Sequence, residues 1–273
     1  MVFWQNVLRI LDAGMETPLP YGWFHLLSCA LCVAVTVLLC ALLGKGNFVQ
    51  RRNVILVTAI VTIVLEIYKQ INYSFTYNDG IAFDYQWYSF PWQFCSTPMY
   101  VGLLAGLTKK GKLHDCLCAY LATFAIFAGL AVMLYPTTVF IRTIGINIQT
   151  MVCHGSMITL GVYLYASGHV KLEHKTIIKA IPVFAVMLAV AVIMNEIAHV
   201  SGLLERETFN MFFVSPYCEP SLPVYSIVQG LVPFPWCLML YIVGFTAAAY
   251  IMLLAAMGVN KVSKRFKKKT VVS

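Results

Sequence analysis

Long apolar runs alternate with short polar or basic breaks along this chain. Seven runs reach the roughly 17 to 25 residues a helix needs to cross a hydrocarbon core about 30 Å thick. They are 21–43, 54–73, 90–107, 116–134, 145–166, 176–199 and 233–257. Ahead of them, residues 2–12 predict a short interfacial helix, apolar at Phe3, Trp4, Val7 and Leu8. The longest non-helical stretch, about 200–232, holds Ser215-Pro216-Tyr217 and Glu219-Pro220 and reads as a connecting loop. No internal repeat and no low-complexity stretch is evident. The predicted fold is an all-α integral membrane protein, a seven-transmembrane-helix bundle. Residues 1–260 form one domain, and 261–273 form a basic tail.

Composition agrees with that pattern. Hydrophobic residues make up 60% of the 273 and charged residues only 11%, against about 25% charged in soluble domains. The formal charge of +8 does not signal nucleic-acid binding, because the basic residues lie in short blocks between spans and in the tail. Lys45, Arg51 and Arg52 follow the first span, and Lys109, Lys110 and Lys112 follow the third. Lys171, Lys175 and Lys179 surround the turn after the fifth, and Lys261 to Lys269 adds six more. Fifteen of the 19 basic residues thus fall on one side, which the positive-inside rule makes cytoplasmic. The opposite loops carry Asp79, Asp84, Glu205, Glu207 and Glu219. An outside N-terminus and a cytoplasmic C-terminus follow, with the tail expected against anionic lipid headgroups. The N-terminus lacks the basic start of a signal peptide. Most of the nine cysteines lie in apolar spans and read as small hydrophobes, not as a disulfide framework. Cys29-x-x-Cys32 has no partner motif, and a Cys218–Cys237 bridge stays open.

Polar residues inside the spans carry the functional signal, since an ionisable group in hydrocarbon costs free energy. Cys95 interrupts the start of the third run, in Phe90-Pro91-Trp92-Gln93-Phe94-Cys95-Ser96, and His154 lies well inside the fifth, in Cys153-His154-Gly155. At about 1.5 Å per residue they sit roughly 8 and 13 Å below the outer surface. A thiol with an imidazole is a recurring nucleophile–base combination, and a nearby base raises the thiolate fraction. Glu66, Lys69, Gln70 and Tyr73 share one face of span two, and Asn147, Thr150 and His154 form a second stripe. Asn195, Glu196 and His199 mark the outer end of span six. Taken singly, each reads as an interhelical hydrogen bond of about 1 kcal/mol, and Glu66 with Lys69 as a structural ion pair. Together they gather in the outer half of the membrane and leave the inner half almost free of charge, as a cavity opening outward would.

A proline just before a cysteine in span three, a histidine–glycine step in span five and an acidic residue in span two resemble the YwaF-like family of bacterial integral membrane proteins. Members read close to Leu-Pro-Leu-His-Leu-Cys where this chain has Phe90-Pro91-Trp92-Gln93-Phe94-Cys95. Gln93 therefore replaces a second possible base. The resemblance covers nearly the whole chain in span number, order and loop polarity. A eukaryotic branch similar to that family acts as an ether-phospholipid acyltransferase with a membrane cysteine and histidine. The resemblance thus implies lipid acyl chemistry in a bacterial cytoplasmic membrane.

The reading preferred at this point is a thiol-dependent lipid acyltransferase or hydrolase. His154 takes the proton of Cys95, and the thiolate attacks a phospholipid ester at the outer leaflet to form an acyl-thioester. Gln93, Ser96 or Asn147 stabilises the oxyanion, while Glu66, Lys69, Asn195 and Glu196 shape the site. Phospholipids and lysophospholipids are the expected partners. No His/Asp/Glu constellation at recognisable ligand spacing appears, so no metal and no cofactor are expected. A proton-coupled transporter using Glu66, Lys69 and Glu196 is the alternative, opposed by the apolar inner half and the absence of a repeat. A ligand-binding receptor is the third reading. It is opposed by Thr108-Lys109-Lys110-Gly111-Lys112 after span three and by a last span without Asn-Pro-x-x-Tyr or a lysine for a retinal Schiff base.

Overall fold

The computed structural model describes residues 2–77, 80–219 and 222–272. Asp79, Pro220 and the side chains of Lys267, Lys268 and Lys269 lie outside what is described. The chain is nearly all helical. Helix α1 (Val2–Leu11) buries no residue, as a short interfacial element should. Helix α2 (Trp23–Leu43) contains no charged residue and buries only His25, so most of its apolar surface faces outward. Helix α3 (Phe48–Asn72) begins at a capping box. Gln50 N donates to Asn47 Oδ1 at 3.0 Å, and Asn47 N donates to Gln50 Oε1 at 2.8 Å, satisfying two amides that a helix start leaves without partners.

After α3, strands β1 (Phe75–Thr76) and β2 (Ala82–Phe83) pair antiparallel, Phe75 opposite Phe83. A 3₁₀ turn at Trp87–Ser89 and further turns lead to α4 (Thr97–Leu107). The 90–107 run is therefore not one helix, because its first seven residues form the turns that carry Cys95. The 116–134 run is α5 (Lys112–Leu121) followed by α6 (Phe124–Leu134). The break falls at Thr123 (φ −127°, ψ −77°), whose Oγ1 donates to Ala119 O at 2.7 Å. Helices α7 (Ile144–Ala166) and α8 (Lys175–Val200) follow, then the short α9 (Pro223–Leu231) and α10 (Phe234–Val272), which continues through the basic tail.

Among the described residues, five segments are long and apolar enough to cross a membrane: Trp23–Leu43, Phe48–Asn72, Lys112–Leu134, Lys175–Val200 and Phe234–Arg265. Two of the seven expected spans are not among them. Helix α4 has 11 residues, about 16 Å at 1.5 Å per residue and short of a bilayer core. Helix α7 has 23 residues but carries Asn147, Gln149, Thr150 and His154 on a largely buried surface. It sits centrally, with α2 and α6 against it, while α3 packs on α4 and α5 on α8. Close approach is built into the contacts. A Cβ at Gly129 of α6 would lie 2.6 Å from the His154 carbonyl oxygen of α7, and one at Gly106 of α4 would lie 2.7 Å from Leu56 Cβ of α3.

Candidate functional site

At the end of the bundle opposite the lysine-rich turns, the last turns of α3 meet the first turns of α7. The Glu66 carboxylate is the centre of a buried polar network there. Lys69 Nζ stands 2.7 Å from Glu66 Oε1, and Gln70 Nε2 donates to the same oxygen at 2.7 Å. Gln149 Nε2 reaches across from α7 to Glu66 Oε2 at 3.2 Å and to Cys153 Sγ at 3.5 Å. Gln70 Nε2 also donates to Ser89 O at 3.0 Å, and its Oε1 accepts from Tyr85 OH at 2.6 Å. Burial pushes the Tyr85 phenol above its ordinary pKa, with Ser89 opposing and Glu66 adding to the rise. Tyr85 therefore stays a protonated donor at neutral pH. Such a network stabilises an ion pair in low dielectric only because its carboxylate is fully hydrogen-bonded.

Both expected reactive residues lie within the electrostatic reach of this network. Cys95, in the turns before α4, feels the charges of Lys69 and Glu66, with Ser96 beside it. His154, on α7, feels Lys69, and the Cys153 thiol feels Glu66, Lys69 and Cys95. Lys69 is thus the charge that Cys95, Cys153 and His154 all feel. No hydrogen bond joins Cys95 to His154 among the described residues. His154 Nδ1 lies 2.7 Å from Thr150 O. A carbonyl only accepts, so Nδ1 carries the proton and Nε2 presents a lone pair. That Nε2 is buried and has no partner, while His154 as a whole is 8% exposed.

The remaining expected residues lie elsewhere. Asn147 holds the turn before α7: its Nδ2 donates to Ile141 O at 2.7 Å and its Oδ1 accepts from Ile141 N at 2.9 Å. Asn195 clamps Met211 in the same way, with bonds of 3.0 and 2.7 Å. Gln93 Nε2 donates to Asn210 O at 3.1 Å, which leaves its buried Oε1 without a partner. Glu196 is exposed and accepts from Tyr217 OH at 2.9 Å, and His199 stacks on Tyr217. Glu196 is therefore not in the Glu66 network. Gln149 and Tyr85 are, and sequence reading missed both. Gln149 stands one helical turn before Cys153, a spacing that was available as a signal. Tyr85 lies in a loop with no periodicity to mark it.

Two cavities flank the bundle. One of 440 Å³ runs between α3 and α4, lined by Glu66 and Gln70 with Ile63, Ile67, Pro91, Met99, Tyr100 and Leu103. A carboxylate and an amide thus border a mainly apolar groove. The other, of 590 Å³, lies at the lysine-rich end, lined by Arg51, Lys110, His114, His169, Lys171 and Lys179 among others. There His114, Cys118 and His169 come together, a grouping the sequence did not reveal because His169 arrives from the turn after α7.

Residues 20–254 match the TMEM164 family. The chain belongs to the TMEM164 family. The match takes in α2 through most of α10, and therefore both cavities and the Glu66 network. Family membership and the apolar helices together make it an integral membrane protein. No curated protein and no solved structure matches the chain. All nine cysteines of this family member are free thiols, Cys218 and Cys237 included.

Proposed function

We propose that the chain is a membrane-embedded lipid acyltransferase or lipid hydrolase with Cys95 as nucleophile and His154 as base. The observation that carries this reading is the buried, partnerless Nε2 of His154, held by its Nδ1 in the tautomer that accepts a proton. The Thr150 carbonyl orients the ring, as the third group of a nucleophile–base arrangement does. In the proposed step His154 Nε2 takes the Cys95 thiol proton and the thiolate adds to an ester carbonyl carbon. The carbon–oxygen bond then breaks, and the departing lysolipid oxygen takes the proton from His154. The acyl-thioester passes to a second lysolipid hydroxyl or to water by the same sequence with His154 again as base. Bound lipid draws the Cys95 turn and His154 into hydrogen-bond reach, which apo sites often lack.

Of the three expected oxyanion donors, only Ser96 is kept. Asn147 and Gln93 already donate to backbone carbonyls, so Lys69 and Ser96 take that role in this reading. Acyl chains lie in the groove between α3 and α4, with the headgroup near Glu66. In this reading α4 with its preceding turns and α7 complete seven crossings, with the N-terminus outside and the C-terminus cytoplasmic. The setting is the bacterial cytoplasmic membrane, and the kinship is with YwaF-like and ether-phospholipid acyltransferase proteins, as the sequence resemblance implies.

The test is intact-protein mass spectrometry after incubation with mixed phospholipids. A hydroxylamine-sensitive acyl adduct should form on wild type and on Cys153→Ala and be absent from Cys95→Ala. In His154→Gln it should form about 10²-fold more slowly or less. Failure of wild type to form the adduct or to release lysolipid would remove the acyl reading and turn attention to proton-coupled transport through Glu66 and Lys69.

A further inference from the structure

Away from the Glu66 network, at the lysine-rich end, three metal-ligand side chains meet with over-subscribed hydrogen bonding. His114 and Cys118 lie one turn apart on the same face of α5, and His169 comes from the turn between α7 and α8. Their ligand atoms all fall within 4.8 Å of one another. His114 Nδ1 stands 3.0 Å from Ala105 O, so Nδ1 carries the proton and Nε2 offers one lone pair. Two groups converge on that lone pair: His169 Nε2 at 2.7 Å and Cys118 Sγ at 3.4 Å. One acceptor cannot satisfy both donors.

We propose that His114 Nε2, Cys118 Sγ and His169 Nε2 bind a zinc-class divalent metal ion that ties α5 to the α7–α8 turn. A tetrahedral zinc with nitrogens at about 2.0 Å and sulfur at about 2.3 Å separates two nitrogen ligands by roughly 3.3 Å and a nitrogen–sulfur pair by roughly 3.5 Å. The 3.4 Å between His114 Nε2 and Cys118 Sγ already suits this, and the two imidazoles need to part by about 0.6 Å. His169 is only half-buried and in a turn, so it is the ligand free to make that shift. The His114–Ala105 bond is the outer contact that fixes a ligating imidazole's tautomer and orientation. On binding, Cys118 loses its thiol proton to solvent and the thiolate sulfur bonds the metal, while His169 exchanges its Nε2 proton for one on Nδ1 so that Nε2 is free to bond. One thiolate and two neutral imidazoles leave the site at +1. The fourth position opens toward a cavity lined by Arg51, Lys110, Lys171 and Lys179 against the single carboxylate of Asp115, a net positive lining that favours an anion or hydroxide there. Phe48, which also lines that cavity, packs on both imidazoles, its ring centroid 5.1 Å from His114 and 5.6 Å from His169. The site stands apart from the acyl chemistry proposed above.

The test uses full-length protein purified in detergent without chelator, its metal content measured by elemental analysis. About one zinc per chain is expected in wild type and in Asp115→Asn, which removes the cavity carboxylate 3.6 Å from Lys179 Nζ but no ligand, falling below a tenth of that in Cys118→Ser and in His169→Ala. Gel filtration and far-ultraviolet circular dichroism check that each variant is folded. Protein stripped of metal and reloaded with Co²⁺ should show a near-ultraviolet thiolate charge-transfer band that Cys118→Ser removes. His169→Ala lies in a turn and keeps the test open if Cys118→Ser does not fold. Wild type without stoichiometric zinc and without a Cys118-dependent cobalt band would overturn the site. So would zinc retained undiminished in His169→Ala.

Discussion

Two buried histidines in this bundle end in opposite states. His25 accepts from Tyr21 N at Nδ1 (3.0 Å) and donates from Nε2 to Met133 O (2.9 Å), so both nitrogens are satisfied. His154 is satisfied at one nitrogen only. The contrast predicts opposite mutational signatures. His25→Ala should cost about 1–3 kcal/mol through the partners it leaves unpaired, read as a lower Tm, with Cys95 acylation retained. His154→Gln should leave Tm nearly unchanged while acylation slows about 10²-fold or more. Glu66 makes a third case. Glu66→Gln leaves Lys69, whose side chain is 16% exposed, without its counter-charge, and should destabilise by about 3–5 kcal/mol. Thermal unfolding in detergent distinguishes this from a surface pair, whose loss is worth under about 1 kcal/mol. Sequence singled out Cys95, His154, Glu66 and Lys69 because each is costly in hydrocarbon. It could not separate Asn147 and Asn195, whose amides clamp nearby backbone, from Gln149, whose amide reaches Glu66.

At the level of elements, α7 was legible as a helix over its whole length and α3 from Val54 onward, whereas α4 and the α5–α6 pair were not. The 90–107 run has the length of a span, but Pro91 and the turns through Ser96 hold Trp92 by its indole to Met187 O at 3.2 Å. That tertiary bond leaves no trace in local periodicity. The 116–134 run likewise breaks at Thr123, whose φ of −127° and ψ of −77° leave the helical region, at a position that hydropathy reads as mildly polar and nothing more. Gly102 and Gly106, four apart on α4, carried a signal that went unread: small residues at this spacing let helices approach closely. Gly129 does the same for α6 against α7. Gly129→Ala places a methyl within 2.6 Å of the His154 carbonyl oxygen, and backbone cannot yield as a flexible side chain would. We expect a loss of about 1–3 kcal/mol and, because the displaced turn carries His154, slower acylation as well. Gly230→Ala, with nothing within 4 Å of its added Cβ, serves as the comparison.

Over the whole molecule, charge and polarity divide the two ends. Arg51, Lys110, Lys171 and Lys179 surround one cavity, and the Glu66 network lies at the other end. With reactive native thiols blocked beforehand, a cysteine introduced at Arg206 should be labelled by a membrane-impermeant maleimide in intact cells. One introduced at Lys171 should be labelled only after permeabilisation. The reverse pattern would invert the proposed topology and put the Glu66 end on the cytoplasmic side. The groove between α3 and α4 carries a further consequence. Its rim is Ile67 and its floor Ile63, Met99 and Leu103, so in the proposed reaction a lipid would reach Glu66 sideways out of the bilayer without passing through water. An enzyme fed in that way responds to the two-dimensional mole fraction of its substrate. Diluting the phospholipid with an inert one at constant bulk concentration should therefore slow turnover in proportion, as surface dilution.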